Sequence, residues 1–112
     1  PEYPETAIRE AVINAICHRD YTSTATTQVR IHDDRLEIWN PGELPLGLTI
    51  EDLYREHSSL PRNRLLKETL ARADIGERWG TGTTRIVEAC TAVGMVEPQY
   101  SQEQGVFKVR LA

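Results

Sequence analysis

Glu10 and Asn14 stand four residues apart in the run Glu10-Ala-Val-Ile-Asn14-Ala15. On a helix that spacing places them one above the other on one face. A carboxylate beside a carboxamide offers a general base and a hard-oxygen ligand together. Magnesium takes few protein oxygens and completes its shell with phosphate oxygens and water, so one Asn carbonyl suffices. A neighbouring Glu could then orient or deprotonate an attacking water. The same pair also fits a plain solvated face of an amphipathic helix. His18 continues the row and could face a ligand, or could sit at the helix end for its interaction with the dipole.

Two glycine-bearing stretches add to this. Gly76-x-x-x-Gly80-x-Gly82-Thr83 leads into a helix. Glycines let backbone approach a phosphate closely, and a helix N-terminus offers unpaired N–H groups. It has neither the dinucleotide-binding spacing nor the Lys-Ser/Thr of a P-loop, and it also reads as a simple glycine turn. Asn40-Pro41-Gly42 follows a strand. Asn40 there could read an adenine edge with Gly42 leaving room for the ring, or the run is a turn by its chemistry. Arg62 and Asn63 could belong to a lid closing on phosphates, or could cap a helix beside a solvated arginine.

The elements that must position these groups follow from periodicity. Pro4 and the acids around it open a helix running from Glu5 to His18, with Ala7, Ile8, Ala11, Val12, Ala15 and Ile16 as its apolar stripe. Gln28–His32 and Arg35–Trp39 alternate with period two around Asp33-Asp34 and read as a hairpin. Thr49 caps a short helix through about Arg55. A further helix spans about Arg62–Ala73 and is expected to bury Leu65, Leu66 and Leu70. Another runs from Thr83 to about Val93, apolar through Ile86, Val87, Ala89, Cys90 and Val93, and stops at Gly94. Gln99–Ser101 and Val106–Leu111 close the chain as two strands around Gln104-Gly105. Strands joined by hairpins rather than alternating strictly with helices favour α+β, with helices on one face of a largely antiparallel sheet.

The 112 residues fit one domain with a modest core. A 39% hydrophobic and 27% charged composition excludes a disordered chain. The apolar runs fall well short of the roughly 20 residues a membrane helix needs, so no membrane association is expected. Cys17 and Cys90 lack any metal-ligand spacing and read as reduced thiols of a cytoplasmic protein. The net charge is −4, with the acids concentrated before Leu60 and a basic stretch following. Such a domain is a poor electrostatic partner for DNA phosphates. A chain that opens on Pro1 is expected to be a piece of a larger protein.

On helix, strand end and glycine-led helix, in this order, the three constellations resemble the N box and the first and second glycine boxes of the GHKL ATPase superfamily. That superfamily includes gyrase, MutL, heat-shock chaperones and histidine kinases. Glu10 with Asn14-Ala15 matches the N box, and Gly80 and Gly82 match the second glycine box. The first box departs, since Asn40 stands where the superfamily has an adenine-reading aspartate, and Glu43 or Leu44 where a second glycine falls. More closely, almost the whole chain resembles the C-terminal domain of RecG-related ATP-dependent DNA helicases and transcriptional regulators. The phrases that carry this are Tyr3-Pro4, Arg9-Glu10-Ala11, Asn14-Ala15, His18-Arg19-Asp20-Tyr21, Asn40-Pro41-Gly42, Ser59-x-Pro61-Arg62-Asn63 and Trp79-Gly80-Thr81-Gly82.

The resemblance implies a two-layer GHKL-like sandwich over residues 1–112, forming the C-terminal part of a bacterial or archaeal protein. It implies ATP and Mg²⁺ as ligands, with Glu10 as catalytic base and Asn14 holding the metal. Asn14, His18, Asn40, Gly42, Arg62, Gly80, Gly82 and Thr83 would surround the nucleotide. DNA would be met by an N-terminal region of the parent, not by this domain. With no P-loop and no motor motif, the expectation is a weak ATPase rather than a helicase motor. The competing expectation is a regulatory or homodimerising module that keeps the fold without nucleotide, and Asn40 in place of aspartate favours it.

Overall fold

The computed structural model describes residues 3–45, 47–55, 62–73 and 82–112. The first helix, α1, spans Glu5–His18, the bounds expected from its periodicity. Glu5 lies in its first turn and His18 in its last, each favourable to the helix dipole. The carbonyl of Pro4 starts the helix, accepting from the N–H groups of Ala7 (3.1 Å) and Ile8 (3.3 Å).

The buried arc of α1 differs from the expected stripe. Ala7, Glu10, Ala11, Ile13, Ala15 and Cys17 are buried, whereas Val12 and Ile16 are each 39% exposed. Packing explains the rotation, because α1 is met by the sheet, by α2 and most extensively by α3. Periodicity finds an apolar arc but not the polar residue that neighbouring helices also enclose. Glu10 is such a residue.

Strands β1 (Gln28–Ile31), β2 (Leu36–Pro41), β3 (Gln99–Glu103) and β4 (Val106–Leu111) form one antiparallel sheet in the order β1-β2-β4-β3. Register pairs Ile38 with Val29 on one side and with Val109 on the other. Leu36, Ile38, Tyr100, Phe107, Val109 and Leu111 supply the sheet's share of the core. On the opposite face Trp39 packs between cations of the flanking strands, with the Arg30 guanidinium 3.6 Å and the Lys108 ammonium 3.9 Å from its ring centroid. The β3–β4 hairpin turns through Gln104 (φ 51°) and Gly105 (φ 79°), the left-handed pair a two-residue turn requires.

Between the hairpins, Glu51–Tyr54 is a single 3-10 turn. Thr49 and Asp52 brace it reciprocally: the Thr49 N–H donates to Asp52 Oδ2 (2.9 Å) and the Asp52 N–H to Thr49 Oγ1 (3.3 Å). The Tyr54 hydroxyl fastens it to the sheet by donating to the Pro98 carbonyl (2.9 Å) and accepting from the Tyr100 N–H (3.2 Å).

Helix α2 covers Arg64–Arg72 and α3 covers Gly82–Ala92. The expected burial of α2 through its leucines is corrected: Leu65 is 77% and Leu66 40% exposed, with only Leu70 half-buried. Asn63 sets the orientation of α2. Its N–H (2.9 Å) and its Nδ2 (3.0 Å) both donate to the Cys17 carbonyl, and Nδ2 also donates to the Arg19 carbonyl (2.8 Å). With Asn63 capping the end of α1, the face one and two turns further on carries Lys67 and Leu70. Helix α3 ends in a Schellman motif at Gly94 (φ 81°), where the Met95 N–H donates to Cys90 (3.0 Å) and the Gly94 N–H to Thr91 (3.1 Å). Val93, expected on the apolar face, lies past the helix and is 60% exposed. Cys17 and Cys90 are both buried and free. Three helices on an antiparallel sheet make the fold α+β.

Candidate functional site: a cleft along the first helix

A cleft runs along α1 between the sheet and the flanking helices. Glu10, Asn14 and His18 line it from α1, Lys67 from α2, and Gly82 and Thr83 from the first turn of α3. Ile38, Leu53, Phe107 and Val109 make its apolar floor, with Asn40, Gly42 and the following loop at its end. From Glu10 to His18 the helix rises about 12 Å.

Glu10 is 4% exposed, so it does not belong to a solvated face. Burial raises its pKa, while Arg85, Lys67 and Arg9 pull it back down. The Arg85 guanidinium, 3.8 Å from Glu10 Oε1, makes a long ion pair. A carboxylate that keeps its proton to higher pH than an exposed one is suited to proton transfer nearer neutrality. Helix α3 meets it closely, because a Cβ added at Gly82 would stand 3.4 Å from Glu10 Oε2.

Thr83 is also buried, and its hydroxyl has no hydrogen-bond partner among the described residues. Its carbonyl is satisfied, accepting from the Tyr100 hydroxyl at 2.8 Å. Burial raises the Tyr100 pKa and keeps that donor protonated. A buried hydroxyl without a partner costs free energy, on the order of 1–3 kcal/mol. Thr83 also lines the cleft.

The other end of the cleft is arranged differently. The Asn40 carboxamide is buried and committed within the chain, its Nδ2 donating to the Ala15 carbonyl (2.9 Å) and its Oδ1 accepting from the Thr27 hydroxyl (2.8 Å). The Arg19 guanidinium donates to that same Thr27 hydroxyl at 2.8 Å. Gly42 has φ +132°, and a Cβ there would lie 2.7 Å from the His18 carbonyl oxygen. The need for glycine is therefore the close approach of the α1 terminus. The Asp20 N–H donating to the Pro41 carbonyl (2.8 Å) closes the same junction. Arg62 does not line the cleft; its guanidinium donates to the carbonyls of His18 (3.4 Å) and Glu43 (3.3 Å).

The structure thus gathers Glu10, Asn14, His18, Asn40, Gly42, Gly82 and Thr83 around one cleft and places Arg62 behind it. Gly80 lies outside the described residues. Lys67 and the apolar floor are cleft residues that sequence reasoning did not single out. The signal for Lys67 was its position one turn after Asn63, masked by the two leucines between them. Among the described residues no cluster of three or more His, Cys, Asp or Glu gathers as a metal site, and no helix is long and apolar enough to cross a membrane.

Fold and cleft together define a small two-layer α+β domain. Over residues 25–111 the sequence matches the family described as "Putative ATP-dependent DNA helicase recG C-terminal", and the chain belongs to that family. Among solved structures it is similar to the crystal structure of the DIP2311 protein from Corynebacterium diphtheriae. The TM-score is 0.88 and the identity 29%, over 100% of this chain and 24% of that one. This chain therefore spans about a quarter of the length of that protein. The family match begins after α1, so Glu10, Asn14 and His18 fall outside it, whereas the structural likeness includes them. No curated protein matches the sequence.

Proposed function

We propose that the domain binds a nucleoside triphosphate, ATP in the first instance, as its Mg²⁺ complex in the cleft along α1. The observation that carries this reading is the buried, unpartnered hydroxyl of Thr83 in the first turn of α3, across from the buried carboxylate of Glu10. A helix N-terminus offers N–H groups to phosphate oxygens, and glycine at its first position lets them come close. The residues fit the metal as well: Asn14 supplies one neutral oxygen on the cleft wall, and Mg²⁺ characteristically fills the rest of its shell from phosphates and water. Bound there, the ion would neutralise phosphate charge. Glu10, with its pKa raised by burial, is the group to orient and deprotonate a water for slow hydrolysis. The floor of Ile38, Leu53, Phe107 and Val109 suits the flat face of a base.

Thermal denaturation tests this directly. Mg-ATP is expected to raise the melting temperature; a ligand at a hundred times its Kd stabilises by about 2.7 kcal/mol. Asn14→Ala should abolish the shift, and no shift in the wild type at millimolar nucleotide rejects the reading.

A second reading draws on Asn40. Because its carboxamide is bonded to Ala15 and Thr27, the cleft's far end is consistent with a regulatory or dimer-forming module that holds the fold without nucleotide. Concentration-dependent dimerisation in sedimentation, with no nucleotide bound in calorimetry, would favour it. On either reading DNA is engaged by other regions of a longer cytoplasmic protein acting in DNA-linked regulation, since this domain carries a net −4.

A further inference from the structure

We propose that Lys67 is the cleft's anion anchor: it holds the terminal phosphates of the nucleotide on the α1–α2 side, across from the Gly82–Thr83 turn of α3. This rests on the nucleotide reading above and adds to it the residue that distinguishes a triphosphate from an uncharged nucleoside.

Among the described residues lining the cleft, Lys67 is the only lysine or arginine. It is half-buried, in α2, and its position is set by the Asn63 bonds to the last carbonyls of α1. Its charge acts on both Glu10 and Cys17 of α1, lowering the pKa of each. The ion pair of Glu10 is with Arg85, which approaches from α3 at 3.8 Å and is not itself a cleft residue. The acidic residues Glu10 and Glu43 both line the cleft, and a triphosphate entering beside them meets repulsion that one cation in the wall must offset. Lysine suits that task as a compact charge on a flexible stem, able to follow a phosphate chain without demanding a fixed fork geometry. The apolar floor makes no such demand of the base, so the loss of Lys67 should separate phosphate binding from base binding.

The test is isothermal titration of ATP, ADP and adenosine, with Mg²⁺ present, into wild type, Lys67→Gln and Lys67→Arg. Lys67→Gln is expected to weaken ATP tenfold or more, ADP less, and adenosine not at all, while Lys67→Arg keeps most of the ATP affinity. The salt dependence of ATP binding should flatten in Lys67→Gln. Equal ATP affinity in wild type and Lys67→Gln overturns the role of Lys67 while leaving the nucleotide reading intact. A parallel loss of adenosine binding also overturns it, by showing that Lys67 acts through the fold. Absence of both ATP and adenosine binding in the wild type rejects the nucleotide reading and this inference together.

Discussion

The two ends of the cleft both consist of polar residues on the same helix and sheet, yet they are in opposite states. Around Asn40, Gly42 and Arg62 every named polar group is engaged inside the chain: carboxamide to carbonyl and hydroxyl, guanidinium to the His18 and Glu43 carbonyls, and glycine against that same His18 carbonyl. Around Glu10 and Thr83 the groups are buried but incompletely met, with a hydroxyl lacking a partner among the described residues and a carboxylate paired at 3.8 Å. Buried polar groups are satisfied as a rule, and the exceptions mark places where something is absent or stored. A motif phrase such as Asn40-Pro41-Gly42 can therefore serve the fold as well as line a cleft.

The largest expected effect falls at the satisfied end. Gly42→Ala would set a Cβ 2.7 Å from the His18 carbonyl oxygen and 3.2 Å from the Asp20 nitrogen, at φ +132°. Both contacts are backbone, so relief requires parting the end of α1 from the end of β2. Overpacking together with a φ that only glycine adopts readily costs about 3 kcal/mol or more. For a domain of this size the melting temperature should fall by roughly 10 °C or more. A variant that melts like wild type would mean the junction is loose and the contrast between the two ends is false.

That junction also marks the limit of what the sequence discloses. The bounds of α1, both hairpins and the Gly94 stop are local, written in periodicities and turn residues a few positions apart, and they are seen as expected. Asn40 bonds a carbonyl 25 residues away and Gly42 packs on His18, so their role depends on tertiary contacts no local pattern carries. The face of α2 depends on tertiary contacts in the same way. Leu65 and Leu66 dominate its apolar signal, but Asn63 fixes its rotation from outside the helix and turns Lys67 inward. Glu10 and Asn14 are recognisable as a pair, though the burial of Glu10 is not, because the covering surface comes from α3, more than sixty residues downstream.

Thr83→Val sharpens the comparison from the other end, with a smaller effect. The substitution removes a buried hydroxyl that has no partner and keeps the shape. Stability should be unchanged or rise by about 1 kcal/mol, since a desolvated group without a bond is lost. If the hydroxyl serves a ligand, Mg-ATP affinity should fall about tenfold in the same protein, near 1.4 kcal/mol. Urea unfolding and calorimetry read the two separately. A substantial loss of stability would mean that the hydroxyl is satisfied within the fold, and this end of the cleft would then resemble the other.

Glu10→Gln gives the smallest change, and its pH dependence decides its meaning. Burial raises the Glu10 pKa in the folded state above its ordinary value of 4.5. Below about pH 4 the side chain is protonated in folded and unfolded chains alike, so wild type and Glu10→Gln should be equally stable. As pH rises past 4.5 the unfolded chain ionises freely while the folded one resists, and wild-type stability falls until the raised folded pKa is passed. The glutamine variant has no such loss and should be the more stable of the two at pH 8, seen as a higher urea midpoint at unchanged slope. Arg85 loses its partner in the variant, but its side chain is 41% exposed and water screens much of that loss. The reverse result, wild type more stable at pH 8, would mean that Arg85 and Lys67 hold the carboxylate more strongly than burial opposes it. Glu10 would then be as fully met as Asn40, and the contrast between the two ends of the cleft would rest on Thr83 alone.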